Sequence, residues 1–222
     1  MSHQKPARKL KPVSGHPKTR LAKFDIFLAG VGGLGVLTLG RIVAEAGLKH
    51  GFEVKTCETH GLAQRYGAIN AHIRFGRSIH SALIPEGQAD LVIGLEPLEA
   101  LRTAYYSSRE AGTVFLVNTE KLYPTTCFVE GHRYMPVDKI VKTLEGFSRK
   151  VYTVNASQIV KKEMGSTIYE NIYLLGMANG LGLLPVYRRH LVQAFSEMIR
   201  KKFVAQNIKV FKMGERKGKE ML

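Results

Sequence analysis

The sequence predicts an α/β protein with a three-layer, Rossmann-like fold, in which helices cover both faces of a mostly parallel sheet with a mixed edge. Three observations support this prediction. Short apolar runs alternate with segments whose apolar residues recur at helical spacing. A glycine-rich turn joins the first run to the first helical segment, and two later runs, ADLVIG and TVFLVN, are continuously apolar, as in strands covered on both faces. Strands that alternate with crossover helices form parallel or mixed sheets.

The first element is a strand over 24–29, followed by a glycine-rich turn and a helix over 36–50. The turn contains four glycines: Gly30, Gly32, Gly33 and Gly35. Three of them fit the pattern G-x-G-x-x-G, which allows a tight turn, close approach of a ligand to the backbone, and close packing of the helix on the strand. The free N–H groups of the first helical turn favour a bound negative group. A turn that only packs the helix on the sheet explains the same glycines.

A second strand over 53–57 leads into a polar loop over 58–67. Glu58 is an acidic residue at about the distance, roughly 20 residues, that dinucleotide binding requires after the glycine turn. The loop also contains side chains that can donate hydrogen bonds to a carboxylate, a phosphate or an acidic partner surface: Thr59, His60, Gln64 and Arg65. We expect this loop and the glycine turn to share one edge of the sheet. The structural alternative pairs Arg65 with Glu58 and has His60 bonding to a backbone carbonyl.

The middle of the chain continues the alternation. Residues 68–75 alternate between apolar and polar, which predicts a half-buried strand, and residues 78–84 are expected to return as a hairpin. Two buried strands are predicted over 89–94 and 113–118. Between them Pro97 begins a helix that extends to Arg109, because proline at the first helical position loses no needed N–H.

The last third is predicted to be mainly helical. The expected elements are irregular edge strands within 125–134, a helix over 136–144, a strand over 150–154, a helix capped by Asn155 with Gln158, a helix over 171–184 and an amphipathic helix over 187–203. The helix over 171–184 contains Gly176, Ala178 and Gly180, and these small residues favour close packing against another element or a subunit.

The positive charge is concentrated at the two ends of the chain. The formal net charge is +15, yet residues 1–24 contain seven Lys and Arg and no acidic residue, and residues 200–222 contain eight against two Glu. We therefore expect a disordered basic tail over 1–23, a single α/β domain over 24–203 and a basic C-terminal tail over 204–222. Tails of this kind can also bind an acidic partner or nucleic acid.

Composition excludes several classes of function. The chain has two cysteines, Cys57 and Cys127, whereas an iron–sulfur cluster needs about four thiolates and a structural zinc about four ligands. No apolar run approaches the ~20 residues of a membrane helix, and the N-terminus lacks an apolar signal segment, which predicts a cytoplasmic protein. The sequence shows no Ser-His-Asp or paired-carboxylate arrangement, so no catalytic residue and no metal ligand is assigned to the chain alone.

Four segments resemble the γ-type domain of the 2-oxoacid:ferredoxin oxidoreductases. They are AGVGGLGVLTLGRIVAEAG, VKTCETHGLAQRYGAINAHIRFG, SALIPEGQADLVIGLEPLEALR and NIYLLGMANGLGLLP. The likeness extends in order over about residues 24–185, and the ETHG-x-AQR stretch after the glycine turn is its most specific part. Within the family, the chain is most similar to the subunits that serve arylpyruvates such as indolepyruvate.

The resemblance implies a two-subunit enzyme that decarboxylates arylpyruvates, passes electrons to ferredoxin and forms an acyl-CoA. In that family the large α subunit carries thiamine diphosphate and the iron–sulfur clusters, and coenzyme A is a co-substrate. This chain would then be a non-redox subunit that is inactive without its α subunit, and a homodimer contact stays open. The residues expected to face a ligand or partner are those of the glycine turn and the polar loop.

Two other functions are compatible with the residues. One is a stand-alone nucleotide-binding protein that uses Gly30–Gly35 and Glu58. The other is a nucleic-acid accessory protein that acts through its basic tails.

Overall fold

The computed structural model describes residues 21–61, 67–123 and 133–222. Its strands are β1 (Lys23–Val31), β2 (Glu53–His60), β3 (Ala68–Gly76), β4 (Leu91–Gly94), β5 (Val114–Asn118) and β6 (Lys150–Val154). They form one six-stranded sheet in the order β2-β3-β1-β4-β5-β6. The helices are α1 (Val36–His50), α2 (Pro97–Arg102), α3 (Val137–Gly146), α4 (Ala156–Met164), α5 (Glu170–Gly180), α6 (Arg188–Met198) and α7 (Lys201–Glu220).

The sheet is mixed at one side, as predicted. β1, β4, β5 and β6 are parallel, whereas β3 is antiparallel to both β1 and β2. β3 lies between β1 and β2, so β1 and β2 point in the same direction and both end at the carboxyl edge of the parallel strands. This arrangement confirms the α/β class and places the two predicted functional segments at a common edge.

The two faces of the sheet are covered by different helices. Ile26 and Leu28 of β1 belong to the larger cluster of buried side chains, which includes residues of α1, α4, α5, α6 and α7. Phe27 and Ala29 point to the opposite face and pack with residues of α2 and α3. Alternate residues of one strand therefore contribute to two apolar layers, which explains why the strand sequence is apolar throughout.

Residues 78–84 do not form the predicted hairpin strand. Arg74 on β3 donates hydrogen bonds from Nη1 to the carbonyl oxygens of Ser81 (3.1 Å) and Leu83 (2.9 Å). A buried side chain thus satisfies backbone acceptors that a strand would pair with a neighbour. Ile79 and Ile84 are buried individually from this irregular segment, and their burial accounts for the apolar pattern that resembled a strand.

The predicted helix over 97–109 is shorter in the structure. α2 ends at Arg102 and a 3₁₀ turn follows at Ala104–Tyr106. The hydroxyls of Thr103 and Ser107 donate to the carbonyl oxygens of Ala100 and Ala104, so side chains compete with the helical backbone pattern there. The edge strands expected within 125–134 fall mostly outside the described residues.

The predicted helix over 187–203 is two helices. Ile199 and Arg200 adopt extended backbone angles, which end α6 and redirect the chain into α7. The predicted domain boundary at residue 203 therefore falls inside a helix, and residues 204–220 pack on α5 instead of forming a tail. Residues 1–20 of the expected N-terminal tail lie outside the described residues.

α5 and α7 cross at glycines contributed by both helices. A Cβ atom on Gly176 would lie 2.1 Å from the Phe211 carbonyl oxygen, and one on Gly180 would lie 2.1 Å from the Glu215 carbonyl oxygen. In return, a Cβ on Gly214 would lie 2.0 Å from the Tyr173 carbonyl oxygen. The two backbones touch, so Gly176 and Gly180, two of the three small residues that the sequence analysis singled out, pack against α7 of the same chain.

None of the helices in the described ranges combines the length and apolar character that crossing a membrane would require.

Candidate functional site

The glycine turn between β1 and α1 is closed by backbone hydrogen bonds. Gly33 and Gly35 have positive φ angles of 108° and 77°, which explains the need for glycine at both positions. The Gly32 N–H donates to the carbonyl oxygen of Gly67 (2.8 Å), and the Leu34 N–H donates to that of Val31 (3.2 Å). Two of the turn's N–H groups therefore already have partners within the chain.

Close packing explains the first and last glycines of the pattern. A Cβ on Gly30 would lie 2.8 Å from Cγ2 of Val36, and one on Gly35 would lie 2.5 Å from Nδ2 of Asn171. Asn171 belongs to α5 and donates to the Gly35 carbonyl oxygen (3.4 Å). The turn thus holds α1 against the sheet and against α5, while Gly33 is exposed and has open space around it.

The predicted polar loop is in part a strand. Glu58, Thr59 and His60 complete β2 at the edge of the sheet, because the antiparallel pairing with β3 continues to His60. The Glu58 carboxylate lies 3.6 Å from Nε of Arg41 on α1. His60 Nδ1 lies 3.2 Å from the Gly61 carbonyl oxygen, the kind of contact that the structural alternative expected. Gln64 and Arg65 lie outside the described residues, so the expected Arg65–Glu58 pair does too.

The register shows that both predicted segments reach the same level of the sheet. Ile69 of β3 is paired with His60 on one side and with Gly30 on the other. His60 and Gly30 are therefore two strand spacings apart, about 10 Å. The shared edge expected from the sequence is present for Gly30–Gly35 and Glu58–His60.

A cavity of about 390 Å³ opens at this edge on the other side of β1. Its walls come from the segments that follow β1, β4, β5 and β6 and from the start of α5, so it lies at the carboxyl ends of the parallel strands, where open α/β sheets bind ligands. Its walls are formed by Leu34, Leu95, Asn118, Glu120, Leu122, Asn155, Ser157, Gln158, Lys161, Thr167 and Glu170.

A chain of buried hydrogen bonds forms one wall of this cavity. The Asn118 amide donates to Ser157 Oγ (2.9 Å) and to the Leu95 carbonyl oxygen (3.2 Å), and the Ser157 hydroxyl donates to the Glu170 carboxylate. Glu170 is only 4% exposed. Burial raises the pKa of Glu170 to about 7, although the bond from Ser157 acts in the opposite direction. A carboxyl group that titrates near neutrality can exchange a proton with a ligand.

Two further polar groups complete the edge. Asn155 caps α4 by accepting from the Gln158 N–H (2.8 Å), as predicted, and it also donates to Glu120 (3.1 Å). Glu96, which follows β4, is buried and accepts a hydrogen bond from Tyr134. Burial raises the pKa of Glu96.

A second, more apolar opening of about 520 Å³ borders the glycine turn itself. We call it the turn groove. Its walls are formed by Gly33, Leu34, Gly35, Thr38, Ile168, Tyr169, Asn171, Ile172, Ile199, Arg200, Phe203 and Asn207.

The described residues offer no metal centre. Within 21–61, 67–123 and 133–222, no three His, Cys, Asp or Glu side chains come close enough to hold an ion. Cys57 is a free, half-buried thiol on β2, and Cys127 lies outside these ranges.

Sequence reasoning found the glycine turn but missed the cavity wall. Asn118, Ser157 and Glu170 are separated along the chain, and none belongs to a recognisable motif. One signal was available: Asn118 and Asn155 are polar residues that end or directly follow predicted strands, and such positions gather at the carboxyl edge.

Fold and site define an α/β domain of the Rossmann-like class, with its polar and apolar openings at the carboxyl edge of the sheet. Residues 25–216 match the family described as pyruvate ferredoxin/flavodoxin oxidoreductase, and the chain belongs to that family.

Similar proteins from several archaea share most of the chain. The "Indolepyruvate oxidoreductase subunit IorB" of Archaeoglobus fulgidus is 38% identical over 192 residues, which are 86% of this chain and 94% of that protein. The protein of the same name from Pyrococcus horikoshii is 32% identical over 91% of this chain and 99% of its own length.

Solved structures support the fold. The γ subunit of a keto/oxoacid ferredoxin oxidoreductase from Geobacter sulfurreducens superposes with a TM-score of 0.63 at 24% identity, covering 88% of this chain and 98% of that one. A 2-oxoglutarate:ferredoxin oxidoreductase from Magnetococcus marinus, whose structure contains 2-oxoglutarate, coenzyme A and succinyl-CoA, superposes with a TM-score of 0.67 at 21% identity. That match covers 90% of this chain and 32% of the larger one.

Proposed function

We propose that this chain is the non-redox subunit of an oxidoreductase that decarboxylates arylpyruvates such as indolepyruvate, transfers the electrons to ferredoxin and forms an acyl-CoA. The names of its archaeal relatives and their nearly full-length similarity support this substrate class. The observation that carries the division of labour is the cysteine content. Two cysteines cannot supply the ligands of an iron–sulfur cluster, so the electron carriers must belong to another polypeptide.

The cofactors of the reaction are assigned to the large α subunit. Thiamine diphosphate would supply the carbanion chemistry of decarboxylation, and the clusters would carry electrons onward. We assign to this chain the roles of completing the complex and enclosing its reaction site, and no chemical step to its side chains.

The carboxyl edge of the sheet is the surface proposed to face the reaction site. It combines the glycine turn, the polar end of β2 and the cavity with Glu170. We assign the ligand- or partner-facing role to the predicted residues Gly30, Gly32, Gly33, Gly35, Glu58, Thr59, His60, Gln64 and Arg65, and we add the cavity wall to them. Arylpyruvate and coenzyme A are the proposed small molecules at this edge.

The stand-alone nucleotide-binding alternative has weaker support. Glu58, which would hold a ribose, lies 3.6 Å from the Arg41 guanidinium, and the Gly32 N–H already donates to Gly67. Calorimetric titration of the chain with NAD and NADP checks this alternative, for which binding at micromolar concentration would be required.

Co-expression of this chain with the large α subunit encoded in the genome of the same organism tests the proposal. We expect the two chains to purify together and to reduce ferredoxin when given indolepyruvate or phenylpyruvate and coenzyme A. The chain alone should bind no thiamine diphosphate and reduce no ferredoxin. Turnover of phenylpyruvate by the purified chain alone, or the absence of any complex with the large subunit, would contradict the proposal.

A further inference from the structure

The turn groove is formed where three parts of the chain meet. The glycine turn contributes Leu34, the 3₁₀ turn before α5 contributes Ile168, and the junction of α6 and α7 contributes Ile199 and Phe203. The predominantly apolar opening of about 520 Å³ lies beside the glycine turn at the carboxyl edge of the sheet. It is large enough to receive one or more side chains of another protein.

Apolar side chains at the groove are unusually exposed. Ile168 is 74% exposed and Phe203 is 37% exposed, and Met198 next to the groove is 43% exposed. Apolar groups of this size that cluster around a groove mark an interaction site, whereas isolated exposed residues need no explanation. Ile168 follows Thr167 in a short 3₁₀ turn whose Ser166 cap holds the backbone, so its exposure is built into the fold.

Positive charge adjoins the same groove. Arg200, Lys201 and Lys202 are consecutive and exposed, and they directly precede Phe203. Nearby carboxylates are engaged elsewhere: Glu197 lies 2.7 Å from Lys49, and Glu215 of α7 lies 3.0 Å from Arg188. Lys202 Nζ itself lies 5.0 Å from the centroid of the Phe203 ring, so an exposed aromatic ring and positive charge stand side by side and can attract an acidic segment from outside the chain.

We propose that the turn groove is the docking surface for the large α subunit and receives an apolar side chain carried on an acidic segment of that subunit. The inference rests on the proposed function and adds to it the surface and the chemistry of contact. Apolar anchors in a pocket provide most of the affinity of such interfaces, and surrounding charges provide orientation and speed of association.

Charge argues against a second copy of this chain as the occupant. A two-fold contact brings the same patch of both copies together. The triplet Arg200–Lys202 would then face its own counterpart, and the whole chain already carries a formal charge of +15. Nucleic acid also fits poorly, because the groove is predominantly apolar and a phosphate backbone offers no apolar group to fill it.

Two variants of the full chain, each with a matched control, test the proposal. Ile168→Asp places a charge in the groove, and Leu83→Asp makes the same change at a residue that is 52% exposed outside the groove. The double variant Lys201→Glu, Lys202→Glu reverses charge at the groove, and Lys139→Glu, Lys142→Glu makes the same change on exposed positions of α3. Calorimetry measures binding of each to the isolated large subunit, and circular dichroism checks that each melts like the wild type.

We expect Ile168→Asp to weaken binding by about tenfold or more, as loss of an interface anchor does. The Lys201→Glu, Lys202→Glu variant should bind more weakly, and its affinity should lose most of the salt dependence of the wild type. The affinities of both controls should stay within about twofold of the wild type. If the wild type binds but both groove variants bind equally well, the docking surface is wrong and the proposed function stands. If the wild type forms no complex with the large subunit, the docking surface and the proposed function are both wrong. Groove variants that change only self-association or nucleic-acid binding would also overturn the assignment.

Discussion

At the scale of single residues, the site depends on groups whose surroundings the sequence does not reveal. Glu170 is an ordinary glutamate in the sequence, and only the fold shows that Ser157 is its hydrogen-bond donor in a buried wall. The glycine turn is the opposite case, because a positive φ at Gly35 and close approach are properties that glycine spacing encodes. Local backbone chemistry could therefore be predicted, while long-range burial could not.

Glu170 should make the free energy of unfolding depend on pH. Its pKa is about 7 in the folded protein and 4.5 without burial, so the folded state binds more protons between these values and loses stability as pH rises from 4.5 to 7. Glu170→Gln removes this dependence. As the pH rises from 5 to 8, we expect the free energy of unfolding of the variant to increase by roughly 2 kcal/mol relative to that of the wild type.

Urea unfolding at both pH values measures this difference. Glu163→Gln is the matched control, since Glu163 is an exposed glutamate on α4. The same stability difference between wild type and Glu170→Gln at both pH values would contradict the raised pKa.

Gly35 should tolerate a methyl group less well than Gly33. Both have a positive φ, so alanine is strained at both positions, but only at Gly35 would the new Cβ lie 2.5 Å from Asn171. We expect Gly35→Ala to lower the free energy of unfolding by about 2 kcal/mol more than Gly33→Ala does. Chemical denaturation of the two variants measures the difference, and equal losses would mean that Asn171 moves aside without cost.

At the scale of elements, continuous apolar runs and helix signals located most strands and helices. β4, β5 and β6 were predicted within two residues of their observed ends, because buried parallel strands carry a strong signal. The predictions of secondary structure failed where a side chain replaced a backbone partner. The Arg74 guanidinium donates to the carbonyl oxygens of residues 81 and 83, and the Thr103 hydroxyl donates to the Ala100 carbonyl oxygen at the end of α2. Neither kind of contact is encoded in the periodicity of apolar residues, from which the elements were predicted.

The α5–α7 crossing should not tolerate even a methyl group at its glycines. Gly176→Ala places a Cβ 2.1 Å from a backbone oxygen of α7, which a rotamer change cannot relieve. We expect a loss of about 3 kcal/mol or more in the free energy of unfolding.

Gly40→Ala on α1 is the matched control for this change. Its Cβ would meet its nearest neighbour at an ordinary 3.5 Å, so higher helix propensity should leave stability unchanged or raised by up to about 1 kcal/mol. Thermal and urea unfolding compare the two variants, and a mild effect at Gly176 would show that the two helices can separate slightly.

At the scale of the whole molecule, charge suggested a C-terminal tail where the structure has a packed helix. α7 is strongly basic, but Val210, Phe211 and Gly214 form a buried stripe along it. The net charge of 204–222 predicts a tail, whereas the residues of this stripe recur at helical spacing and indicate an amphipathic helix. The polarity of a segment therefore says little about its packing unless its periodicity is examined.

Truncation distinguishes the two ends of the chain. Removing 204–222 takes away the buried side chains of α7 and uncovers Tyr173 and Met177 on α5, so we expect loss of cooperative unfolding and insoluble expression. Removing 1–20 should leave the melting temperature within a few degrees of the wild type, because the sequence offers few apolar residues there to bury. Calorimetry measures the melting of both truncated proteins, and cooperative melting of the C-terminal truncation would refute the structural role of α7.

The glycine contacts between α5 and α7 also constrain how the protein matures during synthesis. A nascent chain folds from its N-terminus as it leaves the ribosome. The face of α5 that contains Gly176 and Gly180 stays uncovered until α7, which follows it in the chain, has emerged. Until then this uncovered face is a surface that chaperones or a premature partner can occupy.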